Sequence, residues 1–221
     1  MELRLEELSL SYNGGKDCLL LLILYLTALH THHHKTHPPQ PLPATLQSVY
    51  IITPNSFPAV DAFVTHTEKL YHLHLSRYAK PMKEAFTDYL SSSSTPQNQN
   101  QNQNQKNNTN NTIKAIFVGT RRTDPHGAKL KHFDPTDRGW PAFMRIHPVI
   151  DWHYAEVWTF LREVGVEYCE LYDEGYTSLG GTEDTHPNPA LAVVAEPGEM
   201  RRFRPAYELV EDGEERLGRD W

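Results

Sequence analysis

Cysteine is scarce in this chain. Cys18 and Cys169 are the only two, too few and too widely separated to staple a small fold, so a disulfide scaffold is excluded. With no recognisable leader, this usage points to a reducing compartment and a cytoplasmic protein. A long apolar run is also missing. Leu19–Leu29 (LLLLILYLTAL) follows Lys16 and Asp17, is broken by Tyr25 and Thr27, and falls well short of the roughly 20 residues that span a bilayer. It reads as a helix that is apolar nearly all round, buried against a sheet rather than in a membrane. Positive charge is in deficit: 21 Lys and Arg stand against 28 Asp and Glu, a net charge of −7. Sequence-independent nucleic-acid binding rests on neutralising phosphates with cations, so no nucleic-acid partner is expected. A small anionic substrate stays compatible, because a local nest of amides and cations can hold one.

At 221 residues the chain is long enough for one sizeable core. A strand is predicted over Leu8–Tyr12, followed by Asn13-Gly14-Gly15 and the apolar helix. His30–Pro43 (HTHHHKTHPPQPLP) reads as a surface loop that cannot continue the helix, with a histidine cluster that offers metal ligands but no fixed geometry. Val49–Thr53 suits a buried parallel strand, Ala59–Lys69 a helix and Tyr71–Leu75 a third strand. Pro81 opens a helix that Met82–Leu90 continues. Ser91–Thr112 (SSSSTPQNQNQNQNQKNNTNNT) has no apolar residue to bury, and is expected to be a disordered insertion within one domain spanning 1–221. Ile113–Val118 resumes as a buried strand, and Trp152–Val164 reads as an amphipathic helix with Trp152 and Trp158 packed. The order strand, helix, strand, helix, strand, helix, strand predicts an α/β fold: a mostly parallel twisted sheet with helices on both faces. Ligands of such sheets bind beyond the carboxyl ends of the strands.

Both of the sharpest motifs lie at that edge. In Ser11-Tyr12-Asn13-Gly14-Gly15-Lys16-Asp17-Cys18 the glycines let the backbone turn tightly and aim amides at one point, at a helix N-terminus. Ser11, Asn13 and Lys16 add donors suited to phosphate oxygens. A plain strand–helix turn would need the Gly-Gly pair but not those three donors. The Walker spacing is absent. The second motif is Gly119-Thr120-Arg121-Arg122-Thr123-Asp124-Pro125. Its arginines offer forks for phosphate and Asp124 a partner for a donor or a hydrated metal, the alternative being a solvated pair on a turn. A third run, Pro135–Arg145, sets Trp140 between Gly139 and Pro141, with Asp137 and Arg145 in the same loop. An indole held there is either a stacking surface for a ring system or a lid over the core. Tyr168–Gly180 and Asp184–Pro189 mark tight, rigid loops.

The form S-Y-N-G-G-K-D-C resembles the pyrophosphate loop of the N-type ATP pyrophosphatase and phosphoadenylylsulfate reductase superfamily. GTRRTDP, PTD-x-GWP, the Asp151-Trp152 segment, LYD-x-GYTSLG, DT-x-PNP and Glu215-Arg216-Leu217-Gly218-Arg219 follow in order. Together they are similar to those of eukaryotic, fungal-type FAD synthases (FMN adenylyltransferases), from about Leu8 to Arg219. That resemblance implies an adenine nucleotide alpha hydrolase-like domain with a small C-terminal flavin-binding segment. It implies transfer of AMP from ATP to FMN, with Mg²⁺ accompanying ATP and FAD and pyrophosphate as products. ATP contacts are implied for Ser11, Asn13, Gly14, Gly15, Lys16, Asp17, Cys18, Ile51, Ile52, Gly119 and Arg121. Lys16, Arg122 and Asp124 are the implied catalytic groups; Asp137, Trp140, Arg145, Arg216 and Arg219 the implied flavin contacts. Arg216 and Arg219, three apart, would share a face if helical, and suit an anionic ring edge or the FMN phosphate. The metal's ligands are left open. A phosphoadenylylsulfate reductase would need a redox-active cysteine outside the loop, which only Cys169 offers. A nucleotide- or flavin-binding module without turnover is a further alternative, and a tRNA-modifying adenylating enzyme would want a basic surface that this chain lacks.

Overall fold

The computed structural model describes residues 3–36, 38, 41–92, 113–193 and 202–220. Six strands form one sheet in the order β3-β2-β1-β4-β6-β5. Its first three strands are β1 (Leu8–Ser11), β2 (Leu46–Ile51) and β3 (Leu73–Tyr78). The others are β4 (Ala115–Phe117), β5 (Phe133–Pro135) and β6 (Met144–Ile146). All neighbours are parallel except β5, which lies antiparallel on the edge against β6. A separate antiparallel pair joins β7 (Ala192–Val193) and β8 (Arg202–Phe203).

The helices follow from the crossovers. The chain passes from β1 to β2 to β3 in one direction, so right-handed connections put α1 (Lys16–Lys35) and α2 (Pro58–Leu70) on one face. It then returns across the sheet to β4, and α3 (Met82–Ser92) lies on the other. Two cores result. Leu10 and Tyr50 join α1, α2 and α4 (Tyr154–Val164) in the larger, whereas Val49 and Ile116 pack with Phe86 and Tyr89 of α3 in the smaller. The alternation along β2 decides this division, since neighbouring residues of a strand face opposite ways. Because β1 is the strand from which the chain departs both ways, the carboxyl ends of β1 and β4 form the switch point where a cleft opens.

Several expectations need correction. His30–Lys35 is not loop but the end of α1, closed at Thr36, whose amide and hydroxyl both donate to the His32 carbonyl. Histidine is only mildly unfavourable in a helix, and the breakers begin later, at Pro38. His37 lies outside the described residues. Among those described, no group of three or more His, Cys, Asp or Glu is placed to hold a metal. Ser91 and Ser92 complete α3, and the rest of the Gln/Asn tract lies outside the described residues. Tyr71 caps α2, so β3 starts later than expected, and β2 stops at Ile51, leaving Ile52 and Thr53 in a loop. Trp152 precedes α4 and packs on Phe160, while Trp158 is buried. The Trp140 loop is the connection between β5 and β6, strands too short to show a period in the sequence. No helix among the described residues is long and apolar enough to cross a membrane.

Candidate active site

The first loop is built by its own side chains. Tyr12 makes the last ladder bond, its amide donating to the Val49 carbonyl at 2.9 Å, and its buried hydroxyl donates to Thr67 on α2. Asn13 Oδ1 accepts from the Gly15 amide at 2.9 Å, which folds the chain back on itself. Gly14 has φ +75°, and a Cβ there would meet Val64 Cγ2 at 2.8 Å, so only glycine fits. The Lys16 amide donates to the Tyr172 hydroxyl at 2.9 Å. Gly119 lets the second loop lie directly on α1, since a Cβ would stand 3.0 Å from the Cys18 amide. Burial pushes the Cys18 thiol up to about 12, so it is neutral at this helix start.

Behind these loops lies a buried ion-pair cluster. Lys16 Nζ sits 2.9 Å from Asp17 Oδ2, is ion-paired with Glu215 Oε1, and lies over the Tyr154 ring. Arg121, fully buried, pairs through Nε with Asp17 at 2.8 Å, through Nη1 with Asp212 at 3.3 Å, and through Nη2 with Glu215. Burial works to lower the pKa of both cations, but the Asp17 and Glu215 carboxylates prevail and hold each raised, so both stay charged. Asp212 extends the cluster to the surface, where its Oδ2 meets His153 Nδ1 at 2.5 Å.

Arg122 takes another direction. Its side chain reaches Asp151 at 2.6 Å and the Ala128 and Leu130 carbonyls, bracing the loop from outside. It lines neither cavity of the cleft. Asp124 does line the cleft, and its Oδ2 accepts from the Arg121 amide at 2.8 Å.

The C-terminal arginines are not on a helix as expected. A single 3-10 turn, Asp212–Glu214, runs into further turns at 215–218. Asn188 Nδ2 donates to the Glu214 carbonyl and Thr177 Oγ1 to the Glu215 carbonyl, at 2.7 and 2.6 Å. Both holding residues are buried. Arg216 reaches Ser178 at 3.3 Å, and Arg219 pairs with Asp184 at 3.3 Å while lying on Gly180, where any Cβ would strike its guanidinium. The GYTSLG and DTHPNP loops are thus the bed of this turn. Thr177, Asn188, Tyr172, Asp212 and Glu215 were not singled out from sequence. Tyr172 and Thr177 stand in the LYD-x-GYTSLG run, Asn188 in DT-x-PNP and Glu215 at the head of Glu215–Arg219, but what each holds depended on the fold, and Asp212 gave no signal.

Two adjoining cavities open here. One, of about 340 Å³, is lined by Gly15, Lys16, Asp17, Cys18, Gly119, Asp124, Arg216 and Arg219. The other, of about 890 Å³, is lined by Ile51, Ile52, Phe86, Asp137, Trp140, Phe143, Arg145 and His147. Ser11, Asn13, Thr53, Met82, Val118 and Thr120 border both, making one cleft. Arg145 is tied to Asp137 at 3.4 Å and to the Pro135 carbonyl, and Trp140 is 37% exposed at the rim. Sequence grouped Arg216 and Arg219 with Asp137, Trp140 and Arg145, but the structure sets them in the other cavity, beside Lys16.

A cleft at a switch point, polar at a glycine loop and apolar beyond, suits a nucleotide with a second ring system. Residues 7–187 match the family model of the phosphoadenosine phosphosulfate reductase domain. A probable FAD synthase of Schizosaccharomyces pombe is 39% identical over 97% of this chain and 72% of its own length. The chain belongs to this domain family, in its FAD synthase branch. The flavin adenine dinucleotide synthase of Saccharomyces cerevisiae is 34% identical over 84% of the chain, which spans 60% of that relative. Candida glabrata FMN adenylyltransferase, crystallised with FAD and inorganic pyrophosphate, superposes with a TM-score of 0.81. It is 31% identical, and the match covers 97% of this chain and 81% of that one.

Proposed function

We propose that this chain is an FMN adenylyltransferase, transferring AMP from ATP to FMN to give FAD and pyrophosphate. The observation that carries the reading is the single cleft joining a cation-bearing phosphate end to an apolar end with Trp140 at its rim. The relatives with 31–39% identity are named for this activity. An FMN phosphate oxygen attacks the α-phosphorus of ATP, the bond to the β-phosphate oxygen breaks, and pyrophosphate leaves. The nucleophile is already an anion, so no side chain need take a proton; positioning and charge stabilisation do the work.

Ser11, Asn13, Lys16 and the Gly119 loop are assigned to the ATP phosphates, with Ile51 and Ile52 beside adenine. Asp137, Trp140 and Arg145 are assigned to the flavin. Arg216 and Arg219, beside Lys16, are assigned to phosphate oxygens. Arg121 acts from beneath by holding Asp17 and Glu215, and Arg122 acts only as a brace. Asp124 fits magnesium, which takes one or two carboxylates and completes its shell with phosphate oxygens and water. When bound, the ion would add positive charge at the phosphates. The reductase reading is disfavoured because Cys169 is 1% exposed and burial raises its thiol pKa, which makes it a poor redox nucleophile.

The test is pyrophosphate release from ATP and Mg²⁺, with and without FMN, alongside FAD measured by chromatography. FMN-dependent pyrophosphate with equal FAD is expected. Flavin binding without turnover would sink the transferase reading in favour of a binding module.

A further inference from the structure

Lys16 and Arg121 are not bare cations awaiting a phosphate. Between them stand Asp17, Glu215 and, for Arg121, Asp212. Asp17 also joins the two cations, but from the first loop itself; Glu215 differs in reaching them from the C-terminal turn. One oxygen takes Lys16 and the other Arg121, so a single buried side chain joins both cations. Its backbone belongs to the turn that carries Arg216 next to it and Arg219 four residues on, and its carbonyl is held by Thr177. The turn therefore docks on the first loop through Glu215 and Lys16, and on the Gly119 loop through Glu215 and Asp212 against Arg121. The polar cavity is lined by all of these: Lys16, Glu215, Arg216 and Arg219.

We propose that Glu215 is a positioning residue of the transfer reaction, locking the Arg216–Arg219 turn onto the pyrophosphate loop and setting the charge that a polyphosphate meets there. The proposal rests on the adenylyltransferase reading and deepens it. Two consequences oppose each other. A neutral side chain at 215 leaves Lys16 and Arg121 with less counter-charge, so an anion beside them is held more tightly. It also frees the turn, so the arginines no longer meet the phosphates in the geometry that transfer needs. A residue that served stability alone would weaken binding and turnover together.

Binding of inorganic pyrophosphate to the full chain is measured by calorimetry, beside FAD formation, for wild type, Glu215→Gln and Glu215→Asp. Glu215→Gln is expected to bind pyrophosphate about tenfold tighter, the equivalent of roughly one pKa unit of interaction, while kcat falls at least about tenfold. Glu215→Asp keeps the charge but shortens the arm, so pyrophosphate affinity stays within about threefold while kcat remains low. Unchanged or weaker pyrophosphate binding in Glu215→Gln overturns the proposal, as does undiminished turnover. Failure of both variants to fold makes Glu215 a residue of stability alone and overturns it too. A wild-type chain that makes no FAD counts against the transferase reading. Wild-type activity with pyrophosphate affinity unmoved in Glu215→Gln counts against Glu215 only.

Discussion

Lys16 and Gly180 show how differently single residues bear on this site. Lys16→Ala removes a buried cation and leaves Glu215 and Asp17 with Arg121 alone. We expect kcat for FAD formation to fall about a hundredfold or more, since charge at the leaving phosphates is lost. FMN affinity should hold within about threefold, because the lysine lines the other cavity. The same change should lower stability by about 3–5 kcal/mol, the cost of breaking a buried pair. An unchanged kcat would rule out the assigned role. Gly180→Ala works in reverse. Its new Cβ would strike the end of the Arg219 side chain rather than backbone, so the arginine can swing away. The melting midpoint should hardly move, yet kcat/KM for ATP should fall about tenfold or more as Arg219 leaves its seat. Unaltered steady-state kinetics would show that Arg219 is not needed there.

At the scale of elements, α3 is fastened to the sheet by a bond invisible in the sequence. Ser9 of β1 and Tyr89 of α3, eighty residues apart, share a buried hydrogen bond of 2.7 Å. Tyr89→Phe leaves the Ser9 hydroxyl buried without its partner, at a cost of about 1–3 kcal/mol in chemical unfolding. A loss below a few tenths would mean that another group has taken the proton. β2 and β4 were legible as apolar, β-branched runs, β1 as the strand ahead of Asn13-Gly14-Gly15, α2 as a helix, and α3 as a helix opened by Pro81. The edge strand β5 and its inner neighbour β6 were not. Three residues carry no readable period, and their pairing is set by β4 lying alongside.

For the molecule as a whole, acid stability should depend on Glu7. This 3%-exposed residue just before β1 takes Lys114, from just before β4, at 2.6 Å, and two bonds from Arg4. The Lys114 contact first, then those from Arg4, hold its carboxyl at about 2 against an ordinary 4.5. A lowered pKa in the folded state stabilises above 4.5, and that contribution is lost as pH falls toward 2. Glu7→Gln should therefore flatten the fall in melting temperature across that window; parallel curves for the two proteins would refute the assignment. We also propose that residues 93–112, past the end of α3, are an insertion within one domain. They enter β4 at its amino end, whereas the cleft lies at the carboxyl ends of the strands. Replacing 93–112 by a short Gly-Ser linker should leave kcat/KM within about twofold, because long insertions between elements are tolerated. A larger loss would give the tract a part in the enzyme.

The amino-acid sequence by itself determined the α/β class, the parallel inner strands, the glycine loop and the family, because each depends on neighbours along the chain. Short-range spacing is enough to mark a turn, a buried strand or a phosphate-binding loop. The tertiary structure alone decided where the charged residues stand. It sent Arg122 outward, sank Arg121, set Arg216 and Arg219 beside Lys16, and made Glu215 the joint between segments nearly two hundred residues apart in sequence. An ion pair acts over a few ångströms, and only the closed fold establishes which charges stand that close.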